Sequence, residues 1–282
     1  MPLQSIIADC GLTVSRYEAV HGGDINRAYC LYTATGKYFL KVNDHQRYPD
    51  MFVKEAAGLL ALSENSSLTV PQVIKSGTVH NEQYLLMEWL GRGMPKANFW
   101  ENFGAGLAMM HQHSKPYFGW NEENFIGSLL QKNQQYDTWH SFYIECRIMP
   151  LVKTLYSSGA FTNTDISAAE SFCNTLENVF PPESPALLHG DLWSGNYMVA
   201  ENGQAAIFDP AVYYGHREMD IGMTCLFGGF QRQFYDAYNN VYPLESSWHQ
   251  RLPFTQLYPL LVHAILFGGH YVKKVRDIIV RL

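Results

Sequence analysis

The residues with the most chemical potential lie in one short span. His189-Gly190-Asp191 is followed by Asn196 five positions after the aspartate and by Asp209 eighteen after it, with apolar Tyr197-Met198-Val199 and Ala206-Ile207-Phe208 between. That pattern reads as a loop, a hairpin and a second acid. A divalent cation bridging nucleotide phosphates needs a few hard oxygen ligands and leaves its other positions to water and phosphate. One amide oxygen and one carboxylate suffice, and Asn196 and Asp209 supply them. A hydroxyl nucleophile needs an acceptor for its proton, and a carboxylate held in a tight loop can serve, which assigns Asp191 as the base. The combination supports phosphoryl transfer to a hydroxyl.

The phrase HGDLWSGN followed by FDP has the spacing of a kinase catalytic loop, HxDxxxxN with a later metal-holding Asp. Such a site also needs a lysine on a strand and a glutamate on the next helix, paired so that the lysine is aimed at phosphates. Lys41, in Phe39-Leu40-Lys41-Val42, and Glu55 answer this need. Within His21–Asn26, Gly22 and Gly23 let backbone N–H groups approach phosphate oxygens, and Asn26 completes the phosphate-side set. Neither GxxxxGK[ST] nor GxGxxG occurs, which disfavours the Walker and Rossmann classes. The backbone of Glu88, Trp89 and Leu90 is placed to hydrogen-bond an adenine edge, the alternative being an ordinary buried strand. His189 reads as orienting the loop, and His216 as touching substrate or capping a turn. His111 and His113 lie two apart on a helix, point away from each other and exclude a zinc pair.

The elements that must position these groups are legible upstream and downstream. AYCLYTA and KYFLKV flank Thr35-Gly36 as a hairpin, and QVIKSGTV and QYLLMEW flank His80-Asn81-Glu82 as a second. Between them, Phe52, Ala56, Leu59 and Leu60 recur at helical spacing from Asp50. Helical spacing then dominates: Phe99, Phe103, Leu107 and Met110 behind an Asn98 cap; Trp139, Phe142, Cys146 and Met149, stopped by Pro150; and Ile166, Ala169, Cys173 and Leu176 from Thr164. The change falls near Leu90–Gly93, so residues 1–90 are expected to form a nucleotide-binding lobe and 91–282 a catalytic and substrate-binding lobe.

Composition narrows the class. In 282 residues, 47% are hydrophobic and only 16% charged, enough apolar surface for a real core and too much for disorder. The balance of 20 Lys+Arg against 26 Asp+Glu, without a polybasic run, disfavours nucleic acid as a partner. Five scattered cysteines without CxxC spacing read as free thiols in a reducing compartment. The N-terminus lacks the features of a signal peptide, and the apolar run at Leu260–Gly269 is interrupted by His263 and too short to span a bilayer. A cytoplasmic protein without membrane attachment is expected.

HGDLWSGN, DPAVYYGHREMD, the GGDIN turn, the FLKV strand and the closing QLYPLLVHAILFGG resemble the phrases of fructosamine kinases and their bacterial ketosamine kinase relatives, within the aminoglycoside phosphotransferase-like kinases. General aminoglycoside and choline kinases share HGD and the later Asp but usually not Leu-Trp-Ser-Gly. The resemblance implies an α+β, two-lobed protein-kinase-like fold, with a small antiparallel-sheet N-lobe and a mainly helical C-lobe. It implies ATP between the lobes, with Mg2+, and γ-phosphoryl transfer to the C3 hydroxyl of a ketosamine, free or on a protein side chain. Phosphorylated ketosamines shed the sugar, so the implied role is deglycation. By the same analogy Asp220 braces the catalytic loop from a helix start. Trp193, Tyr214 and His216 are the candidates for the sugar or amine side, since an aromatic face packs on sugar C–H surface. Asp24 departs from the smaller or uncharged residue that relatives often carry in the phosphate loop. Two rivals remain open: a small-molecule kinase of the aminoglycoside or choline type, and a nucleotide-binding pseudokinase. An aminoglycoside acceptor calls for clustered late acids, whereas only Asp277 is acidic after Gln256. A pseudokinase need not retain Lys41, Glu55, Asp191, Asn196 and Asp209 together.

Overall fold

The computed structural model describes residues 2–21 and 25–281. Five strands, β1 (Val14–Val20), β2 (Arg27–Thr33), β3 (Gly36–Asp44), β4 (Val73–Val79) and β5 (Glu82–Glu88), form one antiparallel sheet in the order β1-β2-β3-β5-β4. The first tight turn falls at Ala34-Thr35, where the Thr33 hydroxyl donates to Gly36 O at 2.9 Å. Period-2 alternation gives β3 and β5 two buried faces. Leu40, Val42, Tyr84 and Leu86 pack with Ile6 of helix α1 (Pro2–Asp9), whereas Leu85 and Met87 pack with Phe52 and Leu59 of helix α2 (Met51–Asn65). Lys41, between Leu40 and Val42, therefore points to the α2 side, where Glu55 is. The sequence showed strands around one helix; α1 is the second, an eight-residue segment too short to declare itself by periodicity. Leu60 on α2 is 56% exposed, so the apolar stripe of that helix is narrower than its sequence suggested.

From α3 (Phe99–His111) onward the chain is mainly helical, interrupted by the short hairpin β6 (Asn124–Ile126)–β7 (Leu129–Gln131). The second helical run does not stop at Pro150. Helix α4 (Trp139–Phe142) passes through a π-helical turn at Tyr143–Ile148 into α5 (Met149–Ser157). Proline has no N–H, and its ring collides with the carbonyl four residues back in an α-helix. The wide turn relieves the collision, and the carbonyl in question, Cys146 O, takes the Arg147 guanidinium instead at 3.2 Å. Helix α6 (Asn163–Thr175) starts on a capping box, Thr162 with Asp165. After it come β8 (Ala186–Leu188), β9 (Tyr197–Val199), β10 (Ala205–Ile207), β11 (Tyr213–Gly215), and helices α7 (Glu218–Thr224), α8 (Arg232–Val241), α9 (Leu252–Phe267) and α10 (His270–Arg281). Phe142, Ile148, Leu155, Phe172 and Leu261 centre the largest apolar cluster, and Phe103, Leu107, Leu187 and Phe234 a second beneath the 189–196 loop. Among the described residues no helix is long and apolar enough to cross a membrane.

Candidate active site

Two short ladders set the geometry. β8 pairs with β11, Leu188 opposite Tyr213, and β9 pairs with β10, Tyr197 opposite Ile207. The first fixes the start of the 189–196 loop, and the second brings Asn196 beside the residues just after β10, with Phe208 N donating to Asn196 O at 3.1 Å. Gly190 is required here: its φ is +82°, and a Cβ would lie 2.0 Å from Ala211 O. Asp209 also has positive φ, +55°, a conformation that Asp tolerates better than most residues.

The predicted acid–amide–lysine set converges on one cavity of about 450 Å³ lined by Lys41, Glu55, Asp191, Asn196 and Asp209. Lys41 Nζ is 2.7 Å from Glu55 Oε1 and also donates to Asp209 Oδ1. Burial alone would lower the lysine pKa, but the charges of Asp209 and Glu55 outweigh it and hold the ammonium cationic. Asn196 Nδ2 donates to Asp191 O at 2.8 Å and to Asp191 Oδ2 at 3.0 Å. Burial pushes the Asp191 carboxyl up to about 7, with the nearby charges of Asp209 and Asp220 adding to the effect against the Asn196 bond.

Below the loop, Asp220 accepts from His189 N at 2.8 Å and Gly190 N at 2.9 Å. His189 is fully buried, its Nε2 3.1 Å from Phe208 O while Nδ1 accepts from Asp191 N at 3.3 Å. The imidazole thus ties the backbone of Asp191 to the residue before Asp209. His111, set aside as a metal ligand, has a place in this support: Nε2 lies 3.2 Å from Asp220 Oδ2 and Nδ1 2.8 Å from the Tyr238 hydroxyl. Burial alone would raise the Asp220 carboxyl, but these N–H donors hold it below the usual range. The sequence did carry a signal, since Phe103, Leu107 and His111 share one helix face, and a polar group on a buried stripe needs a partner.

The other candidates divide. Trp193 lines the cavity, 37% exposed, its ring 5.8 Å from Phe227. Asn26 lines it too and accepts from Asn43 Nδ2 at 2.8 Å. Gly22 and Gly23, with Asp24, lie outside the described residues. Glu88 closes β5, its amide donating to Gln72 O and its carboxylate accepting from Gln72 N, both at 3.0 Å, while Trp89 packs 6.1 Å from Phe39. Glu88, Trp89 and Leu90 are not among the residues lining the cavity. Tyr214 and His216 do not reach it either. Tyr214 is buried in β11, exchanging backbone bonds with Gly119 and stacking 5.5 Å from Trp120. His216 is enclosed by Phe180 and Trp139, with Nε2 3.1 Å from Pro181 O. β11 holds Tyr214 in the interior, and His216, just beyond the strand, caps the turn into α7, its Nδ1 accepting from Glu218 N at 3.3 Å, the second of the two readings its sequence allowed.

Burial lowers the pKa of His189, His216 and His263. Each takes up its proton more readily in the unfolded chain, near the ordinary value of about 6.5. Stability is therefore full above that pH and falls as pH drops through it, by up to about 1.4 kcal/mol per pH unit per imidazole. The raised Asp191 carboxyl acts in the opposite sense over the same range, so the test is a difference: between pH 7.5 and 5, His216→Asn should lose less thermal stability than the wild type, and an equal loss would remove His216 from the effect.

The donor chemistry suits a hard divalent cation. Asn196 uses its Nδ2 on Asp191, and Asp209 uses Oδ1 on Lys41, so Asn196 Oδ1 and Asp209 Oδ2 remain for a ligand. Among the described residues no group of three or more His, Cys, Asp or Glu is arranged to hold a metal ion. These two oxygens would hold such a cation, leaving its other positions to phosphate and water, as Mg2+ prefers.

The fructosamine kinase family model matches residues 5–282. A probable ketoamine kinase of Enterococcus faecium is 36% identical over 284 residues, 99% of each chain. The chloroplastic protein-ribulosamine 3-kinase of Arabidopsis thaliana is 36% identical over 272 residues, 94% of this chain and 82% of that one. A crystal structure from Thermobifida fusca, provisionally assigned as a fructosamine-3-kinase, superposes with a TM-score of 0.88 at 34% identity, covering 98% of this chain and 97% of the other. The fold is accordingly the α+β, two-lobed, kinase-like one.

Proposed function

The chain belongs to the fructosamine kinase family, and from that premise we propose that it transfers the γ-phosphoryl group of ATP to the C3 hydroxyl of a ketosamine carried on a glycated amine. The observation that carries this reading is the meeting of Asp191, Asn196, Asp209 and the Lys41–Glu55 pair at one cavity. Relatives named ketoamine kinase and protein-ribulosamine 3-kinase support the acceptor class.

The roles follow from chemistry. Asp191, at the mouth of a turn rigidified by Asn196 and Asp220, accepts the proton of the attacking hydroxyl. Lys41, held by Glu55, meets the phosphates, and Asn196 and Asp209 hold Mg2+, which when bound neutralises charge on the transferring group. Residues 1–90 carry the nucleotide-binding elements: Gly22, Gly23 and Asn26 toward the phosphates, and the segment Glu88–Leu90 toward the adenine, where no described hydrogen bond uses the backbone of Leu90. Residues 91–282 supply the base, the metal ligands and the acceptor side, where Trp193 offers an aromatic face to the sugar. Positioning and charge neutralisation provide most of the acceleration, the base a smaller share. The 3-phosphate product is unstable and releases its sugar, which makes the reaction a deglycation step. We place it in the cytoplasm, where all five free cysteines stay reduced.

The test is ADP release from MgATP with ribulosyl-lysine, erythrulosyl-lysine and fructosyl-lysine, beside kanamycin and choline. Release that requires a ketosamine supports the proposal. Turnover with kanamycin or choline alone would replace it with the antibiotic or choline kinase reading, and nucleotide binding without any turnover would favour a pseudokinase.

A further inference from the structure

The β6–β7 hairpin was not anticipated as part of the site, yet Asn124–Ser128 form one wall of the cavity. That wall shares the cavity with Trp193, which the reading above places on the acceptor side, and with residues of α9. Its root is bonded to the segment just after Asp209: Asn124 Nδ2 donates to Val212 O at 2.8 Å and Gln131 Nε2 to Ala211 O at 3.0 Å. Asn124 Oδ1 accepts from Gln131 at 2.7 Å and from Asn133 at 2.9 Å, and the Tyr258 hydroxyl donates to Gln131 Oε1 at 2.8 Å. These amides are buried and multiply bonded, so the root moves as one body with the 209–212 segment.

The tip reaches the other way. Gly127 has φ +55°, and a Cβ there would lie 3.1 Å from Leu266 and 3.7 Å from Ile25, so the turn sits between α9 and the loop that enters β2. The hairpin is then tied to α2 by Lys54, whose Nζ donates to Glu123 O at 2.6 Å and lies 3.8 Å from the Glu122 carboxylate. Lys54 is the residue before Glu55, which fixes the phosphate-directed Lys41. A buried root therefore faces α2 through apolar packing of Gly58 on Val212 and through a polar tie, one ammonium whose side chain is 17% exposed.

We propose that the hairpin is a strap across the acceptor side, and that Lys54 is a positioning residue that couples the helix carrying Glu55 to the segment carrying Asp209. The strap rests on the phosphoryl-transfer reading above and acts on the acceptor, not on the nucleotide. With the tie intact, the acceptor wall and the two ends of the Lys41 network keep one spacing. Without it, the wall drifts relative to α2 while the root and the nucleotide contacts persist.

Lys54→Met keeps the apolar stem and removes the donor. Losing one charged hydrogen bond at the tie should lower kcat/KM for a ketosamine about tenfold. Affinity for an ATP analogue should stay within about twofold, and Lys54→Arg should restore most of the loss. Turnover like the wild type, or a loss that falls equally on nucleotide affinity, would overturn the assignment. A second arm needs no acceptor: amide hydrogen exchange across 124–131 should accelerate several-fold in Lys54→Met, with α3 and α9 unchanged. Unchanged exchange would remove the strap. If the wild type phosphorylates no ketosamine, the acceptor reading fails, and the exchange arm still decides the tie.

Discussion

Asp191→Asn should fold, bind nucleotide about as well as the wild type and turn over about 10²- to 10⁴-fold more slowly, the usual size of a general-base effect. The substitution keeps the shape of the side chain and a carbonyl oxygen for the Asn196 amide now 3.0 Å away. It removes the capacity to take a proton. It also removes a buried carboxyl that burial and the charges of Asp209 and Asp220 hold near 7, so the variant should melt at the same temperature or higher. Stability and activity thus move in opposite directions, which a general loss of structure cannot imitate. Single-turnover phosphoryl transfer, nucleotide titration and a thermal melt on the same preparation separate the cases. Undiminished transfer in a folded variant removes Asp191 as the base, and loss of nucleotide binding along with activity would make the residue structural.

How far the site could be read from sequence depended on whether the chemistry was local. Asp191, Asn196 and Asp209 are joined by one loop and one hairpin, so their spacing alone describes the geometry that β9 and β10 then build. Lys41 and Glu55 needed one further step, the alternation of β3, which turns Lys41 toward α2. Tyr214 failed as a sugar contact because composition does not say which side of a strand faces a cavity: β11 pairs with β8 inside the helical lobe and buries it, while His216, just past β11, takes the turn-capping alternative, its Nδ1 accepting from Glu218 N at 3.3 Å. His111, Lys54 and Asn124 were missed for the opposite reason. Their partners Asp220, Glu123 and Val212 lie 109, 69 and 88 residues away, and no local pattern encodes a contact at that range. The same limit applies to Pro150, a helix stop by local rules. The π-turn before it, braced by Arg147, lets the helix continue.

Asp209→Asn should be the more damaging change for nucleotide handling, with turnover down about 10³-fold or more, since the carboxylate serves two cationic partners at once. In the protein, Asp209 Oδ1 engages Lys41 and Oδ2 is left for a cation beside Asn196 Oδ1. Asn is the informative replacement because residue 209 has φ +55°, a region that Asn enters nearly as readily as Asp. Alanine would add backbone strain to the loss of charge. With Asn, the Lys41–Glu55 pair at 2.7 Å survives, so Lys41 keeps one of its two carboxylate partners. What disappears is the anionic ligand and, with it, the gain in nucleotide affinity on adding Mg2+. Titrating an ATP analogue with and without Mg2+ should show a clear difference in the wild type and little in the variant. Asp191→Asn should keep the Mg2+ difference. The two variants therefore separate the base from the metal ligand even though both abolish most turnover. A variant at 209 that retained Mg2+-dependent affinity, or that worked normally at low Mg2+, would take the metal role away from Asp209 and leave it as a counter-ion for Lys41.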